Sequence, residues 1–163
     1  MSLVIKKAST EDDILTIEAL GREIWHEHYD SIIGENQVNY MLEKFQSKEA
    51  VSKQINSDTI YLLAYYNDIP AGYSAYKLEE SKTFLSKIYI LKEYRGKRIG
   101  ASLLDEIIKA SAGKESIYLT VNKYNTSSIK VYEKLGFKTV DSVVTDIGSG
   151  YVMDDYIMKK ALG

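Results

Sequence analysis

Hydrophobic and polar residues in the first part of the chain follow two different periods. An apolar run at positions 3–6 is typical of a short strand, and Ser9 or Thr10 then offers a helix N-cap followed by an acidic first turn. Beyond that cap, Ile14 and Ile17 begin a series of apolar residues at helical spacing. The pattern predicts three helical segments in this part, at positions 10–29, 35–45 and 49–56.

The rest of the chain alternates between strand and helix patterns. β-branched, aromatic and small residues at 59–66 and 71–78 flank Asn67-Asp68, which predicts a β-hairpin. Helical spacing covers 99–113 and 125–135, and further strands are predicted at 83–91, 116–121, 138–147 and 151–159. This order predicts an α/β fold in which a central mixed β-sheet carries helices on both faces.

Composition adds the number of domains and excludes several kinds of site. The 163 residues contain a single proline and no Gly/Ser-rich linker, so we expect one domain over 1–163. The absence of cysteine excludes disulfides, iron–sulfur clusters, cysteine nucleophiles and thiolate zinc sites, and no metal site is predicted. We expect a reducing compartment, and therefore a cytoplasmic protein.

Charge and hydropathy exclude two classes of partner. No window approaches the roughly 18 apolar residues that span a bilayer, and the first ten residues lack a signal-peptide core, so no membrane association is expected. A formal net charge of -2 argues against a general nucleic-acid binder. Basic charge is nevertheless concentrated locally, because Arg95 and Arg98 lie three positions apart.

That basic segment joins a predicted strand to a predicted helix. A loop of this kind presents backbone N–H groups and the positive end of the helix dipole to an anion, and Gly96 and Gly100 allow close approach. The segment lacks the glycine and lysine pattern of a P-loop or a dinucleotide-binding loop. It therefore predicts a phosphate site, with a capped helix and a solvated basic turn as the alternative.

A second group of polar residues follows the strand predicted at 116–121. At about 100° per residue, Asn125, Ser128 and Tyr132 fall within roughly 60° on one helix face. Taken singly, Asn125 is explained as an N-cap and Tyr132 as a core aromatic residue with its hydroxyl at the rim. Together they predict a polar face that serves a specific site.

The two segments together resemble the GCN5-related N-acetyltransferase superfamily, whose fold has the same order of elements. Arg95-Gly-Lys-Arg98-Ile-Gly100 is similar to the family motif Arg/Gln-x-x-Gly-x-Gly/Ala, although Arg98 stands where the family has glycine. The stretch from Asn125 to Phe137 resembles Asn-x-x-Ala-x-x-x-Tyr-Glu-Lys-Leu-Gly-Phe, with Ser128 in place of alanine.

The resemblance implies acetyl-CoA as the donor. Backbone amides of the 95–101 turn would hold its pyrophosphate, the pantetheine arm would pair with residues 88–90 between two splayed parallel strands, and Tyr132 would be the general acid that protonates the thiolate. The implied cofactor-binding residues are Ile88, Tyr89, Ile90, Arg95, Gly96, Lys97, Arg98, Ile99, Gly100, Ala101, Asn125, Ser128 and Tyr132. The Arg98 side chain would have to swing outward, which leaves open an altered pyrophosphate contact.

The acceptor implied by the resemblance is a primary amine, on a small amine, a polyamine or a protein, that attacks the thioester directly. A base should help to deprotonate it, and His26, Glu27, His28 or a water relayed from Glu79 are open candidates, none of which is assigned. The aromatic and acidic stretch 25–45 is expected to form the acceptor wall and to favour a cationic amine.

Two other functions compete with the enzyme. A non-catalytic acyl-CoA-binding sensor or regulatory module is motivated by Arg98, and a small phosphate-binding domain explains the loop but not the segment from Asn125 to Phe137. Retention of Tyr132 on the same face as Asn125 favours the enzyme. The tyrosine-rich closing hairpin offers a surface for a homodimer, by analogy with the superfamily.

Overall fold

A computed structural model describes residues 2–163 as one seven-stranded sheet with five α-helices packed on it. The strands are β1 (Leu3–Lys7), β2 (Ile60–Tyr66), β3 (Ile69–Leu78), β4 (Lys82–Ile90), β5 (Ser116–Asn122), β6 (Lys138–Gly148) and β7 (Tyr151–Ala161). The helices are α1 (Glu11–Ile33), α2 (Glu35–Phe45), α3 (Lys48–Asn56), α4 (Ile99–Ala110) and α5 (Thr126–Lys134). The predicted α/β fold with a central mixed sheet is confirmed.

The sheet has the strand order β1-β2-β3-β4-β5-β7-β6, and one of its neighbouring pairs is parallel. That pair is β4 and β5, and the two strands are paired only where Lys82–Phe84 lie beside Ser116–Tyr118. The other neighbours are antiparallel and are paired over most of their lengths. The sheet therefore splits between β4 and β5 after their first three residues.

Two apolar cores cover the two faces of the sheet. Helices α1, α2 and α3 pack on one face around Ile17, Ile24 and Val38, while α4 and α5 pack on the other around Leu103 and Phe137. Each core holds strand side chains from its own face, as the alternation of β-strands requires. None of the helices in residues 2–163 is both long and apolar enough to cross a membrane.

Helix α1 is one turn longer than the sequence predicted. Thr10 caps its start, because the Thr10 hydroxyl accepts the Asp13 N–H and the Asp13 carboxylate accepts the Thr10 N–H in return. The expected end was near Tyr29, but the helix continues to Ile33 and ends where Gly34 adopts φ 87°. The Gly34 N–H donates to the Asp30 carbonyl, which closes the last turn.

Candidate active site

The split in the sheet opens a cavity of about 600 Å³ between β4 and β5. Its walls are the unpaired parts of both strands, with α1 on one side and the starts of α4 and α5 on the other. Beyond Phe84 and Tyr118 the facing strand edges have no partner strand. Residues from these walls include Leu85, Ser86, Ile88, Ile90, Leu119, Thr120 and Val121.

The start of α4 faces this cavity with free backbone donors. Helices α1, α3 and α5 each have a side-chain N-cap, from Thr10, Ser47 and Asn125, whereas α4 begins at Arg98 without one. Its first turn also carries no acidic residue. Because the first N–H groups of a helix have no intrahelical acceptor, this end of α4 is suited to an anion such as a pyrophosphate.

The turn before α4 is held in a conformation that exposes these donors. Gly96 has φ 81° and Arg98 has φ 61°, so both lie in the left-handed region, which costs a residue with a Cβ about 1 kcal/mol or more. A Cβ built on Gly100 meets no atom within 4 Å, so space adjoins the first turn of the helix. The residues present therefore fit the phosphate groups of CoA.

At the other wall, the start of α5 is tied to α1. The Asn125 side-chain carbonyl accepts from the Ser128 N–H at 3.4 Å and caps the helix, while Asn125 Nδ2 lies 3.0 Å from His28 Nε2. The Ser128 hydroxyl is 3.1 Å from the same ring nitrogen, and the Arg95 guanidinium lies 3.4 Å from His28 Nδ1. Burial and the nearby Arg95 charge lower the pKa of His28, so its ring is neutral at neutral pH.

Tyr132 lies one turn further along α5, on the cavity side. Its ring packs against Phe137 with centroids 5.8 Å apart, and within residues 2–163 no protein group forms a hydrogen bond with its hydroxyl. Burial, followed by the proximity of Tyr29, raises the pKa of Tyr132. The phenol is therefore protonated at physiological pH and has a free hydroxyl in the cavity.

Of the thirteen residues that the resemblance implied for cofactor binding, twelve line this cavity. Lys97 is the remaining residue of that set, and its Nζ lies 5.2 Å from the centre of the Tyr66 ring. The lining members are Ile88, Tyr89, Ile90, Arg95, Gly96, Arg98, Ile99, Gly100, Ala101, Asn125, Ser128 and Tyr132.

A second cavity of about 330 Å³ adjoins the first at the split. It lies on the face that carries α1 and α2 and is closed at its far side by β6 and β7. The two cavities share six lining residues, which are Tyr29, Ser86, Lys87, Tyr89, Thr120 and Val121. Both cavities therefore border the same part of the split.

The lining of the second cavity corrects one expectation. The stretch 25–45 does contribute to the wall, through Trp25, Tyr29, Ile33, Gln37, Met41 and Phe45, but these side chains are aromatic, apolar or neutral. The expected acidic wall is wrong for this cavity, because the helical carboxylates of that stretch point elsewhere. The carboxylate that does line it is Asp155, on β7.

The base candidates named from the sequence lie outside the second cavity. His26 is bound to Asp30 at 2.8 Å, Glu27 is exposed, and Glu79 accepts hydrogen bonds from the Tyr118 hydroxyl at 2.9 and 3.1 Å. His28 lines the first cavity. Asp155 is not among the base candidates predicted from the sequence. The signal that could have identified it is a carboxylate among the alternating apolar residues of a predicted strand.

Comparison with known proteins supplies the family. Residues 29–154 match the family model described as the acetyltransferase (GNAT) domain. The chain belongs to the GNAT acetyltransferase family. A relative named spermidine N(1)-acetyltransferase, from Thermoplasma acidophilum, is 32% identical over 94% of this chain and 97% of its own length. An N-alpha-acetyltransferase from Saccharolobus solfataricus is 36% identical over 50% of this chain and 49% of its own length.

A solved structure supports the same assignment. The crystal structure of the PaiA N-acetyltransferase from Thermoplasma acidophilum in complex with coenzyme A has a TM-score of 0.83, with 31% identity over 99% of this chain and all of that chain. This GNAT protein is an N-acetyltransferase that uses acetyl-CoA to acetylate an amine. The expectation of an enzyme, rather than a non-catalytic acyl-CoA sensor, is confirmed.

Proposed function

We propose that this acetyltransferase acts on a primary amine of a small cationic molecule of the polyamine class, which enters through the second cavity. The observation that supports this most is that the two cavities share six lining residues at the split, because the first cavity is suited to a phosphate-bearing donor and the second to a cation. The Thermoplasma relative named for spermidine supports the same class.

Aromatic rings give the second cavity its affinity for a cation. Trp25, Tyr29 and Tyr89 form a cluster with ring centroids 5.5 to 6.3 Å apart. A cation over such a ring gains about 0.5–2 kcal/mol, more when it is desolvated. The buried carboxylate of Asp155 adds a negative charge in the same cavity. Together these groups favour an ammonium over a neutral or anionic acceptor.

The Lys87 ammonium in the cavity would repel a second ammonium group. Lys87 lines the split, and its Nζ lies 3.3 Å from Gln54 Oε1 and 5.6 Å from the centre of the Tyr61 ring. Burial lowers the pKa of Lys87 to about 8, so a fraction is neutral near physiological pH. We therefore place the reacting amine near Asp155 and the remaining charge of a polyamine towards the exposed β6 side.

In the first cavity, the proposed roles follow from the chain's own groups. The free N–H groups at the start of α4, from Ile99 to Ala101, would bind the pyrophosphate, assisted by the Arg95 and Arg98 guanidinium groups. The unpaired edge of β4 at Ile88–Ile90 would form backbone hydrogen bonds to the pantetheine amides. Asn125 and Ser128 would border that arm.

Chemistry at the split needs little beyond orientation and proton movement. An unprotonated amine is nucleophilic enough to attack a thioester without a covalent enzyme intermediate, so the absence of cysteine is compatible with turnover. The Tyr132 hydroxyl is protonated and unpaired, so it is the proposed donor of a hydrogen bond and then of a proton to the departing thiolate.

A panel of amines incubated with acetyl-CoA tests the proposed acceptor. The release of the CoA thiol measures the rate, and mass spectrometry identifies the acetylated product. We expect turnover with spermidine and with shorter diamines. A monoamine of the same length as spermidine, whose far end is uncharged, should have a much lower kcat/KM. Turnover confined to peptides would instead support the second candidate, a peptide N-terminus, which the Saccharolobus relative favours. No turnover with any amine would refute both.

Two further expectations stay proposals beside this one. The chain would work as a single catalytic domain over 1–163 in the cytoplasm. It would form a homodimer through its closing hairpin, where Val140 and Val144 on β6 and Val152 on β7 are 57%, 63% and 50% exposed.

A further inference from the structure

Two buried aspartates of this protein have opposite surroundings. Asp13, 4% exposed, forms an ion pair with Lys6 at 2.8 Å and accepts hydrogen bonds from the backbone N–H groups of Ser9 and Thr10. Asp155, 5% exposed, has neither an ion pair nor a hydrogen bond to its carboxylate within residues 2–163. Since buried charges are normally paired, an unpaired carboxylate calls for a missing partner.

The position of Asp155 indicates where that partner would come from. On β7 it lies opposite Asn122 of β5 and Val143 of β6, next to the end of the split. Its side chain lines the second cavity beside Met153, and it lies close enough to Tyr29 to raise the pKa of that phenol. Tyr29 also borders the first cavity and influences Tyr132. Asp155 therefore faces the acceptor side of the reaction centre.

Neighbouring charges leave Asp155 available for a cation. The adjacent Asp154 is paired with Lys123 at 2.9 Å, so the Lys123 ammonium is already engaged. Burial, with a further contribution from Asp154, raises the pKa of Asp155 to about 6, while Lys123 acts in the opposite sense. Tyr29 faces it from α1 and Lys87 lies on the other side of the split. The carboxylate is ionised at neutral pH and can take up a proton when an ammonium arrives.

We propose that Asp155 binds the ammonium of the acceptor and takes its proton, which makes the neutral amine that attacks the thioester. The inference rests on the proposed function and adds the base that the sequence left unassigned.

The step balances in atoms and charge. The R–NH3+ group gives one proton to the Asp155 carboxylate and becomes R–NH2, whose lone pair forms the C–N bond as the C–S bond breaks. The thiolate takes the Tyr132 proton, and Tyr132 is reprotonated by the proton that the attacking nitrogen loses. The proton on Asp155 leaves to water with the products, which gives one N-acetyl amine, one CoA thiol and one released H+ per turnover.

The test compares Asp155→Asn with Asp154→Asn, which removes one negative charge from the neighbouring residue outside the cavity. For wild type, kcat/KM for the amine should rise through an apparent pKa near 6 and then level off. Asp154→Asn should keep this limb but move it to lower pH, because the Asp154 charge contributes to the raised pKa of Asp155. Asp155→Asn should lose about 10²–10⁴-fold in kcat/KM at pH 7 and lack that limb. Its deficit should shrink towards pH 10, because an aliphatic amine with a pKa near 10.4 then supplies its own neutral form.

Acetyl-CoA affinity, measured by calorimetry, should stay within about twofold of wild type in both variants, which shows that the donor site and the fold are intact. Asp155→Ala leaves room for a small carboxylate, so formate should restore part of its activity and formamide should not. Wild-type kcat/KM and an unchanged pH limb in Asp155→Asn, or an equal deficit at pH 7 and pH 10, would overturn the inference while leaving the acetyltransferase function standing. A wild type that acetylates no amine would instead refute the proposed function itself.

Discussion

Tyr132 shows how one residue is prepared by its neighbours. Its ring is fixed by Phe137, while its hydroxyl stays free of protein partners in the described chain. The raised pKa keeps the phenol protonated, although it also makes the proton harder to give up. Donation to a thiolate therefore works best when the attacking nitrogen returns a proton to Tyr132 in the same step.

Tyr132→Phe tests this role directly. It should lower kcat by about 10²-fold or more while leaving acetyl-CoA affinity almost unchanged, because only the hydroxyl is removed and the ring still packs on Phe137. Steady-state kinetics with the best amine of the panel measure kcat, and calorimetry measures the affinity for acetyl-CoA. Tyr124→Phe is the matched control, since that ring is 71% exposed. An equal loss of donor affinity would assign Tyr132 a binding role instead.

The two buried aspartates predict opposite effects of pH on stability. Burial alone would raise the pKa of Asp13, but the hydrogen bonds and the Lys6 ion pair outweigh it and lower that pKa to about 2. This stabilises the fold above the unfolded pKa near 4 and is lost as the pH falls towards 2. The pKa of Asp155 is raised to about 6, so its effect on the stability of the fold has the opposite sign. The ionised form of Asp155 destabilises the fold, and this destabilisation is complete above pH 6.

Asp155→Asn should therefore stabilise the protein at pH 8, by about 1–3 kcal/mol, and the gain should fade between pH 6 and pH 4. Asp13→Asn should destabilise it at pH 7, with a difference that disappears near pH 2. Chemical denaturation across this pH range measures both. A loss of stability in Asp155→Asn at pH 8 would mean that its carboxylate has a favourable partner.

Among the elements, α4 depends most on what binds at its start. Its first turn lacks a capping side chain and an acidic residue, which leaves its donors and its dipole for an anion. The left-handed Arg98 before it stands where the family has glycine, so the backbone geometry of the loop is kept at the cost of strain.

Gly100→Glu is expected to abolish acetyl-CoA binding without unfolding the helix. The added Cβ meets no atom within 4 Å, and a carboxylate in the first turn suits the helix dipole but repels a pyrophosphate. Calorimetry should show at least a tenfold loss of affinity relative to Gly100→Gln, which adds the same bulk without the charge. Equal affinities for the two variants would show that the phosphates do not approach this turn.

At the scale of the elements, the sequence predicted the order of helices and strands, because apolar periodicity and the glycines that end helices are local signals. It ended α1 at Tyr29, whereas apolar residues continue to Ile33 and the Gly34 turn sets the true end. The acceptor wall was misjudged for a different reason. Asp155 reaches the cavity because β7 pairs with β5, which is a long-range contact with no local pattern.

In the proposed function, the two halves of the reaction meet at the split in the sheet of the whole molecule. The proposed donor-side residues come from α4, α5 and the edge of β4, while the proposed acceptor cavity is bounded by α1, α2 and the closing hairpin. Because β4 and β5 pair over only three residues each, both cavities border the split. The proposed direct transfer between two bound substrates rests on this arrangement.

The most direct test of this arrangement is the affinity of a conjugate in which an acetyl bridge joins the CoA sulfur to a nitrogen of spermidine. If the two cavities form one continuous path, the linked parts bind together, and calorimetry should show affinity at least about 10²-fold higher than that of carbamoylmethyl-CoA, which carries the same bridge without the polyamine. Asp155→Asn should keep most of that gain, because the nitrogen that lies near Asp155 is a neutral amide in the conjugate. A conjugate that binds no more tightly than carbamoylmethyl-CoA would contradict a polyamine acceptor in the second cavity.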